Sequence, residues 1–397
     1  MGLKEQTRQK AGVSLVGVAI LGAGDIANVH IEAYKELAGR CRIVALADIY
    51  TDKAEAKKQK YGLDCDVVED YKELLDREDV DLVSVCLPPA AHCGVAVDFL
   101  KAGKHVLCEK PMAPSLEECD RMIRAAEEGG AKLSVVAQNR FKPDIMKTKQ
   151  MLESGVLGQL YFAQADSLWW RGDNYYDLWW RGTWEKEGGG CTFIHAVHHI
   201  DLFLWLMGDL QEISAMVANQ NHHNSEVEDV SLSTLRFKNG AVGFMVASLL
   251  HHGEEQKIII DGERGSIEIP HKVSVSRQMP NGYPEDDEDA RQALETAFDS
   301  GEALRYTEHC GQIENMLHAI ETGTDPLISG TEGRKTVEFI SAVYQSAFTR
   351  TRVQLPMSAK DPFYTREGLL GKATRFNEKK KSVENYADTG IKVGGTL

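Results

Sequence analysis

The stretch "ILGAGDIA", residues 20–27, decides the fold of the first part of this sequence. It follows the apolar run "VSLVGVA" and precedes the amphipathic segment "NVHIEAYKELA", so the order predicts a strand, a tight turn and a helix. Glycines in such a turn let a pyrophosphate approach the backbone amides at the start of the helix. A turn in which the glycines serve only packing is the alternative. The candidate cofactor contacts are Gly22, Gly24, Asp25, Ile26 and Ala27.

A carboxylate further along the chain supports a dinucleotide. Asp48 ends the next predicted strand, 21 residues after Ala27, where it would accept hydrogen bonds from both hydroxyls of an adenosine ribose. The same carboxylate would repel a 2′-phosphate, and the residues around it, "DIYTD", include no arginine to bind one. The sequence therefore favours NAD over NADP.

Short apolar runs alternate with amphipathic segments between residues 14 and 140. The runs "RIVALAD", "LVSVCL", "HVLCE" and "LSVVAQ" have strand length, and the segments between them have helical periodicity. This alternation indicates parallel strands joined by helical crossovers, which form a doubly wound sheet.

The pattern changes after residue 155, where strand-like runs follow one another with only turns between several of them. One helix is predicted at about 191–207, and two more at about 308–322 and 331–350. The acidic segment 277–302 is predicted to be a surface loop.

The fold class is therefore α/β, with a Rossmann-type parallel sheet followed by an α+β domain whose sheet is open and mostly antiparallel. We predict an NAD-binding domain over residues 1–140, the α+β domain over 141–356 and a C-terminal extension over 357–397.

Composition excludes several classes of partner. A formal net charge of −15 without a long Lys/Arg run argues against nucleic acid. No apolar stretch reaches the roughly 18 residues that span a bilayer. Eight cysteines without a CxxC pair indicate reduced thiols, so a cytoplasmic protein is expected.

Three residues at the end of the run "HVLCE" are a second candidate site. Glu109-Lys110-Pro111 lies at the carboxyl end of a predicted strand, which is where open α/β sheets bind their ligands. By itself such a triplet is usually a solvated loop, and only its position at the sheet edge suggests that Lys110 reaches into a cleft.

The segment "EGGGCTFIHAVHHIDLFLWLMG", residues 187–208, places three histidines and an aspartate on one predicted helix. His195 shares a helical face with His198 or His199, and His198 shares one with Asp201. A zinc site is disfavoured because no third ligand is identifiable, so no metal is predicted. Histidines hydrogen-bonded inside a buried helix are the alternative to a catalytic site.

The stretch "LWWRGDNYYDLWWRGTW", residues 168–184, contains five of the six tryptophans and states the pentad Leu-Trp-Trp-Arg-Gly twice. Tryptophan platforms interleaved with Arg, Asp and Asn suit a sugar, which has apolar C–H faces and polar edges. A substrate cleft, an oligomer interface and plain core are the three interpretations.

Taken in order, these motifs resemble those of the Gfo/Idh/MocA family. The likeness continues into "GQIENMLHAIETGTDPLISGTEGRKTVEFISAVYQSAFTRTRVQLP", residues 311–356. The shared motifs are Gly22-x-Gly24-x-x-Ala27, Asp48, Pro88-Pro89-x-x-His92, Glu109-Lys110-Pro111, Trp180-Arg181, and Gly188-Gly189-Gly190 leading to His198-x-x-Asp201. The resemblance implies a Rossmann domain, a second domain whose sheet builds homo-oligomers, and NAD(P)-dependent oxidation or reduction of sugars or cyclitols.

The resemblance also implies roles for individual residues. Lys110 would bind the reacting oxygen and help to move its proton, and His198 would be the general acid or base. Further cofactor contacts would be Pro88, His92, Glu109, Trp180 and Arg181. Substrate contacts would come from Lys110, Gln138, Asn139, Arg140, Trp170, Arg171, His195, His199, Asp201, Tyr306 and His309.

Two features set this chain apart from the family pattern. Ile194 stands where many members have Asp or Asn four residues before the histidine, and His195 offers a polar group next to it. Trp169-Trp170-Arg171 has no counterpart, whereas Trp180-Arg181 matches a family motif. We therefore expect the first pentad to carry the specificity of this protein.

The sequence thus predicts an NAD-dependent dehydrogenase that oxidises a secondary hydroxyl, such as C3, of a hexose unit or glycoside. A cyclitol dehydrogenase and a reductase of keto- or nucleotide-linked sugars are alternatives. A non-catalytic NAD-binding regulator is the alternative from another class.

Overall fold

The computed structural model describes residues 15–384, which form two compact units. Unit 1 comprises the described chain up to Ala113 together with Glu118–Phe141 and Arg305–Arg334. Unit 2 comprises Pro114–Glu117, Lys142–Leu304 and the described chain from Lys335 onward. A segment late in the sequence, 305–334, therefore belongs to the first unit.

Unit 1 is built on a six-stranded parallel sheet in the order β3-β2-β1-β4-β5-β6. The strands are β1 (Val16–Leu21), β2 (Cys41–Ala47), β3 (Asp66–Val68), β4 (Leu82–Val85), β5 (His105–Cys108) and β6 (Leu133–Val135). The helices of this unit are α1 (Asp25–Glu36), α2 (Thr51–Tyr61), α3 (Pro89–Lys101), most of α4 (Leu116–Gly129) and α9 (Glu308–Thr322). The predicted doubly wound sheet is confirmed.

The central strand explains why this sheet forms. All six residues of β1 are buried, as expected for a parallel strand covered on both faces. Its side chains join a core that includes Ile31 of α1 and, from α9, Ile313 and Met316. The segment 305–334 belongs to unit 1 because α9 completes this core.

Unit 2 contains an eight-stranded mixed sheet in the order β13-β12-β11-β7-β10-β9-β8-β16, in which β7 and β10 are the one parallel pair. These strands are β7 (Leu160–Leu168), β8 (Leu210–Ala218), β9 (Val230–Phe237), β10 (Val242–Ser248), β11 (Gln256–Gly262), β12 (Gly265–Ile269), β13 (Lys272–Ser274) and β16 (Val353–Gln354). A separate pair is β14 (Ser276–Gln278) and β15 (Pro284–Asp286).

The helices of unit 2 are α5 (Pro143–Glu153), α6 (Cys191–Ile194), α7 (Val197–Met207), α8 (Glu288–Asp299), most of α10 (Gly330–Thr349) and α11 (Arg366–Lys372). Burial alternates along β9, so one face of the sheet is packed and the other is exposed. The predicted mostly antiparallel sheet is confirmed.

Two predictions about unit 2 are wrong. The single helix predicted at 191–207 is divided into α6 and α7, which are separated at His195 and Ala196. The segment 277–302 is not a loop, because it contains α8 and parts of a strand pair. The Asp287 side chain caps α8 by accepting from the Ala290 amide at 3.0 Å, and Leu294 and Phe298 form a narrow buried stripe. That stripe is too sparse to stand out from the acidic residues around it.

The remaining predictions at this level concern the chain ends and the thiols. The predicted extension is described only as far as residue 384, and residues 1–14 and 385–397 lie outside the described range. All eight cysteines are free thiols, and seven of them are buried. Within residues 15–384, no helix combines the length and the apolarity needed to cross a membrane.

The glycine turn after β1 gives a test of the fold. Gly22 has a φ of +93°, and a Cβ on it would lie 2.4 Å from the Cys86 carbonyl oxygen. We expect Gly22→Ala to lower the free energy of unfolding by on the order of 1–3 kcal/mol, measured by urea denaturation. Gly24→Ala is the matched control, because its Cβ would meet nothing within 4 Å. It should lose less than about 1 kcal/mol, the cost of alanine at an N-cap, but should weaken NADH binding. Equal destabilisation by the two substitutions would contradict this account.

Candidate active site

The turn between β1 and α1 leaves backbone amides open for a ligand. Gly24 is the N-cap residue of α1, and no side chain caps the helix there. The space beside Gly24 is empty to at least 4 Å, and the helix begins directly with Asp25 and Ile26. The first amides of a helix attract phosphate because they lack partners and sit at the positive end of the helix dipole. The turn therefore fits the pyrophosphate of NAD.

Asp48 lies beside this turn, as the sequence predicted. Its Oδ2 accepts a hydrogen bond from the Ala23 amide at 2.6 Å, and its Oδ1 accepts from the Tyr50 amide at 2.8 Å. The ends of β1 and β2 are thereby held together. Each carboxylate oxygen has two lone pairs, so Asp48 keeps acceptor capacity for the hydroxyls of a ribose.

Glu109, at the end of β5, is held in a buried ion pair that the sequence did not indicate. Its Oε1 lies 2.9 Å from Nε2 of His30 on α1, and its Oε2 accepts from the Lys110 amide at 3.2 Å. Burial alone would raise the pKa of Glu109, but the bond with His30 lowers it to about 2. Burial would likewise lower the pKa of His30, and Cys86 and Glu109 outweigh that effect and raise it. The carboxylate therefore fixes the backbone from which Lys110 projects.

His309, on α9, completes a group of three possible metal ligands with His30 and Glu109. The nearest ligand atoms of the three residues all lie within 4.8 Å of one another. The His309 Nε2 is 3.9 Å from the Glu109 Oε1, and burial lowers the pKa of His309 to about 4. Two histidines and a carboxylate are a donor set that zinc uses, but two of the three groups, His30 and Glu109, already form a hydrogen-bonded ion pair with each other.

The other predicted contacts of unit 1 differ in their surroundings. Pro88 is the N-cap residue of α3, and His92 is fully buried with its ring nitrogens 2.7 Å from the Leu87 oxygen and 2.9 Å from the Pro111 oxygen. His92 therefore ties two loops together, and its contact with a cofactor stays a prediction. Tyr306 packs against the core of the unit.

Residues 138–141 form a 3-10 helix after β6. Asn139 is 2% exposed, and neither polar atom of its side chain has a hydrogen-bond partner among the described residues. Gln138 Oε1 is likewise buried without a partner there. Unpaired buried amides cost free energy, which favours a ligand at this position. Arg140 is buried and forms an ion pair with Glu332 at 3.1 Å.

In unit 2, the run of three glycines meets a buried carboxylate that sequence reasoning missed. Glu228 accepts from the Gly190 amide at 3.0 Å and from the Thr192 amide at 3.1 Å, and it receives the Tyr344 hydroxyl at 3.0 Å. A Cβ on Gly190 would lie 1.9 Å from the Glu228 carbonyl oxygen. Position 190 needs glycine because Glu228, in the connection between β8 and β9, approaches the backbone there so closely. Glu228 thus takes the place of a capping side chain at the start of α6.

The three histidines of this region have different environments. His199 is fully buried, its Nδ1 lies 2.8 Å from the Ser167 hydroxyl, and its Nε2 has no hydrogen-bond partner among the described residues. Burial lowers the pKa of His199 to about 3, and Lys142 contributes in the same direction, so the ring is neutral. His195 and His198 are half-buried, and Asp201 is buried on α7.

The tryptophan-rich stretch packs against His195 and His199 through Trp169 of the first pentad and through Tyr175, which the sequence analysis did not select. The ring of Trp169 lies 6.0 Å from that of His195 and 6.1 Å from that of His199, and Tyr175 lies 5.4 Å from His195. The Trp169 indole also donates to the Ser167 hydroxyl at 3.0 Å. Aromatic side chains therefore lie beside His195 and His199.

Trp170 and Arg171 of the first pentad, both predicted to contact substrate, have different surroundings. The Arg171 guanidinium lies 5.6 Å from the ring centre of Trp169 and 5.9 Å from that of Tyr175. Trp170 is 44% exposed and its ring lies 5.6 Å from that of His252, tilted by 30°, and Arg171 pairs with Glu254 at 2.7 Å. Their role in binding substrate stays a prediction.

In the second pentad, the Arg181 guanidinium lies 4.1 Å from the ring centres of both Trp180 and Tyr175. It also forms an ion pair with the buried Glu187 at 3.1 Å. Burial raises the pKa of Glu187 to about 7, against the lowering effect of Arg181.

Unit 1 has the fold and the turn of a protein that binds a dinucleotide, which defines the class as an NAD-dependent enzyme. The chain belongs to the Gfo/Idh/MocA oxidoreductase family. The family model described as "Oxidoreductase family, NAD-binding Rossmann fold" matches residues 16–137, and "Oxidoreductase family, C-terminal alpha/beta domain" matches residues 149–355. The resemblance seen in the sequence is thus confirmed, and the chain is an NAD-binding oxidoreductase.

Similar proteins act on sugars. The chain is 26% identical over 371 residues to 2,7-anhydro-N-acetylneuraminate hydratase of Mediterraneibacter gnavus, which covers 86% of this chain and 96% of the relative. It is 25% identical over 353 residues to D-glucoside 3-dehydrogenase of Escherichia coli, covering 85% and 97%. The solved WlbA dehydrogenase of Bordetella pertussis, in complex with NADH and UDP-GlcNAcA, superposes with a TM-score of 0.75 at 26% identity, covering 87% of this chain and all of that one.

The buried carboxylate of Glu187 should make stability depend on pH. Its pKa is raised in the folded protein, so the unfolded chain loses the proton first as pH rises from the usual value of about 4.5 towards 7. The contribution of the Glu187 carboxyl to the free energy of unfolding is therefore lost as pH rises through this range, and it is constant above it. We expect the free energy of unfolding of Glu187→Gln, relative to the unsubstituted protein, to increase between pH 4.5 and 7, measured by urea denaturation. The exposed Glu185→Gln is the control, and a constant difference across the range would contradict the assignment.

Proposed function

We propose that this oxidoreductase oxidises a secondary hydroxyl of a sugar or glycoside, at C3 of a hexose unit, by hydride transfer to NAD. The observation that carries the proposal is the packing of Trp169 and Tyr175 against His195, which surrounds the histidine segment with aromatic faces. Aromatic faces and interleaved polar groups bind the two kinds of surface that a sugar presents. The similarity to a D-glucoside 3-dehydrogenase supports C3 as the reacting carbon.

The proposed chemistry needs one hydride and one proton to leave the same carbinol group. NAD, when bound, supplies the acceptor for the hydride from C3. Lys110 holds the oxygen, and His198 takes the hydroxyl proton, so that the carbinol becomes a ketone. Asp201, one helical turn after His198 on α7, would orient that histidine or stabilise the helix that carries it. In the reverse direction His198 returns the proton.

The neighbouring histidines would have other tasks. His199 is neutral and bonded to Ser167, which suits a role in holding the site rather than in proton transfer. His195, beside Trp169 and Tyr175, would contact the substrate. Asn139, whose side-chain amide has no hydrogen-bond partner among the described residues, is proposed as a further substrate contact.

Three other functions remain as alternatives. A cyclitol would present the same kind of secondary hydroxyl. A nucleotide-linked sugar is supported by the WlbA dehydrogenase complex with UDP-GlcNAcA. A non-catalytic NAD-binding regulator would bind the cofactor without turnover.

Turnover and its site residues can be tested together. We expect NADH formation with NAD and methyl glucosides to exceed that with inositols and UDP-sugars, and a substrate deuterated at C3 to transfer deuterium to NADH, measured by mass spectrometry. Lys110→Met and His198→Ala should each lower kcat by about 10²–10⁴-fold, because each removes a group that moves or holds the proton. The Kd of NADH should be unchanged in both variants.

The outcomes separate the alternatives. Faster turnover of an inositol or a UDP-sugar would replace the proposed substrate, and transfer of deuterium from another carbon would replace C3. NADH binding without turnover of any sugar, in either direction, would favour the regulator.

The exposed face of the unit 2 sheet is proposed to build a homo-oligomer. Met216 on β8 is 68% exposed, its cross-strand partner Leu232 on β9 is 48% exposed, and Val242 on β10 is 42% exposed. Apolar residues clustered on one open sheet face indicate an interface. We expect light scattering to show an oligomer that Met216→Lys combined with Leu232→Lys converts to a monomer with unchanged NADH affinity. Ile49→Lys, exposed but outside this sheet, is the control, and a monomer without any substitution would exclude the interface.

We also propose a cytoplasmic location, because all eight cysteines are free thiols. Cell fractionation followed by immunoblotting would test it, and recovery outside the cytoplasm would contradict it.

A further inference from the structure

Residues 374–383, close to the last described residue of the chain, run along the tryptophan-rich stretch. We name residues 374–383 the C-terminal strap and residues 168–184 the tryptophan loop; both belong to unit 2. The Val383 amide donates to the Asp177 oxygen at 2.8 Å, and the Val383 oxygen accepts from the Trp179 amide at 2.9 Å. These two bonds make a parallel bridge between Leu178 and Val383. The strap therefore pairs with the loop by backbone bonds, as a strand edge would.

The other end of the strap is attached as well. The indole nitrogen of Trp184 donates to the Thr374 oxygen at 3.1 Å, and the Phe376 amide donates to the Glu226 oxygen at 3.0 Å. Trp184 is buried. The strap is thus joined to the tryptophan loop at both of its ends.

Asn224 clamps the strap to the loop between these ends. Its Oδ1 accepts from the amides of Lys380 and Lys381, at 2.8 and 2.9 Å. Its Nδ2 donates to the Lys381 oxygen at 3.0 Å and to the Tyr176 oxygen at 3.2 Å. Asn224 is buried, so these bonds are shielded from water and their loss would be costly.

Successive lysines of the strap point in different directions. The Lys379 Nζ donates to the Tyr176 oxygen, and the Lys381 Nζ forms an ion pair with the buried Asp177. Lys380, between them, is exposed and has its carboxylate partner in Glu378, at 3.8 Å. The Lys381 side chain is itself 62% exposed, so it differs from Lys380 in its partner and not in burial. Lys379 and Lys381 contact the tryptophan loop, whereas Lys380 contacts Glu378 within the strap.

The tryptophan loop depends on such contacts because it has little regular structure of its own. Between β7 and α6 its regular element is a 3-10 helix, Asp173–Asp177, and Lys379, Lys381 and Asn224 all bind the end of that helix. Tyr175, within the same 3-10 helix, faces His195. The conformation that the strap holds is therefore the one that sets the surroundings of the histidine segment.

We propose that the C-terminal strap is a positioning element that holds the tryptophan loop in its substrate-binding conformation. The inference rests on the proposed function for the identity of the substrate, a sugar or glycoside. A loop that is already ordered does not lose conformational entropy when the substrate binds, so the strap raises affinity without touching the reacting atoms. The strap lies beyond residue 355, where the family model ends, so this device is a feature of this chain beyond the matched domains.

Separate substitution of the adjacent residues Lys381 and Lys380 tests the positioning role. Lys381→Met should raise KM for the best substrate by about tenfold while kcat changes less than about threefold and the Kd of NADH stays the same. Lys381→Arg should restore KM, because it keeps the charge opposite Asp177. Lys380→Met removes the same charge from a lysine side chain that pairs with Glu378 of the strap and not with the loop. It is the matched control and should leave KM unchanged. Asn224→Ala should reproduce the effect of Lys381→Met.

Intrinsic fluorescence gives a readout that needs no substrate. Five of the six tryptophans lie in the tryptophan loop, so emission reports its conformation. We expect Lys381→Met to shift emission to longer wavelength and to speed tryptic cleavage at Lys379, a site that both variants keep, whereas Lys380→Met retains the original emission and cleavage rate.

The two readouts distinguish failure of this inference from failure of the proposed function. If no sugar is turned over, the proposed function fails, and fluorescence and proteolysis still decide whether the strap holds the loop. Identical KM, emission and proteolysis for Lys381→Met and Lys380→Met would overturn the positioning role. A fall in kcat equal to the rise in KM, or a weaker affinity for NADH, would also overturn it, since a positioning element for the loop should leave both unchanged.

Discussion

Close approach of backbone to backbone at glycine is the constraint on which both candidate sites depend. In unit 1, Gly22 allows the turn after β1 to lie against the Cys86 carbonyl, where a Cβ would be 2.4 Å from the oxygen. In unit 2, Gly190 allows α6 to begin against Glu228, where a Cβ would be 1.9 Å away. Both approaches bring the first amides of a helix to a defined place. In unit 1 the first amides of α1 stay open for a ligand beside Gly24, whereas in unit 2 the Glu228 carboxylate accepts hydrogen bonds from the amides at the start of α6. The first arrangement suits ligand binding, and the second stabilises the structure.

Buried ion pairs stand next to the residues that the family resemblance assigns to chemistry. Glu109, paired with His30, directly precedes Lys110, and Glu187, paired with Arg181, directly precedes the glycine run. Burying such pairs contributes little net stability, but removing one partner typically costs about 3–5 kcal/mol because the other is left unpaired. Their contribution is therefore geometric. Each pair holds a segment of backbone in one arrangement. Substituting either glutamate should therefore be destabilising, although neither Glu109 nor Glu187 is expected to transfer a proton.

The repeated pentad shows how one composition can be used in several ways. Trp184 is packed edge-on against Tyr344 and Phe348, so it is core, and the buried Trp169 lies against His195. Trp170 and Trp179 are 44% and 45% exposed. The two copies have different neighbours. Trp170 of the first copy forms a bridge with Leu250, after β10, whereas Leu178 of the second forms one with Val383 of the strap. Substrate cleft, oligomer interface and core were the three alternatives from sequence, and the structure shows that buried and exposed tryptophans occur within the one stretch.

The sequence by itself determined the fold class and the cofactor, because glycine spacing, strand length and helical periodicity are local consequences of backbone geometry. It missed α8, whose buried Leu294 and Phe298 are too few to show against acidic neighbours. Which of three nearly adjacent histidines would be buried was decided only by the tertiary structure, through Ser167 and its bond to His199. The same holds for the partner of Glu109, which lies 79 residues away at His30. Such partners depend on where distant segments of the chain meet in the fold, which cannot be predicted from the local spacing of residues.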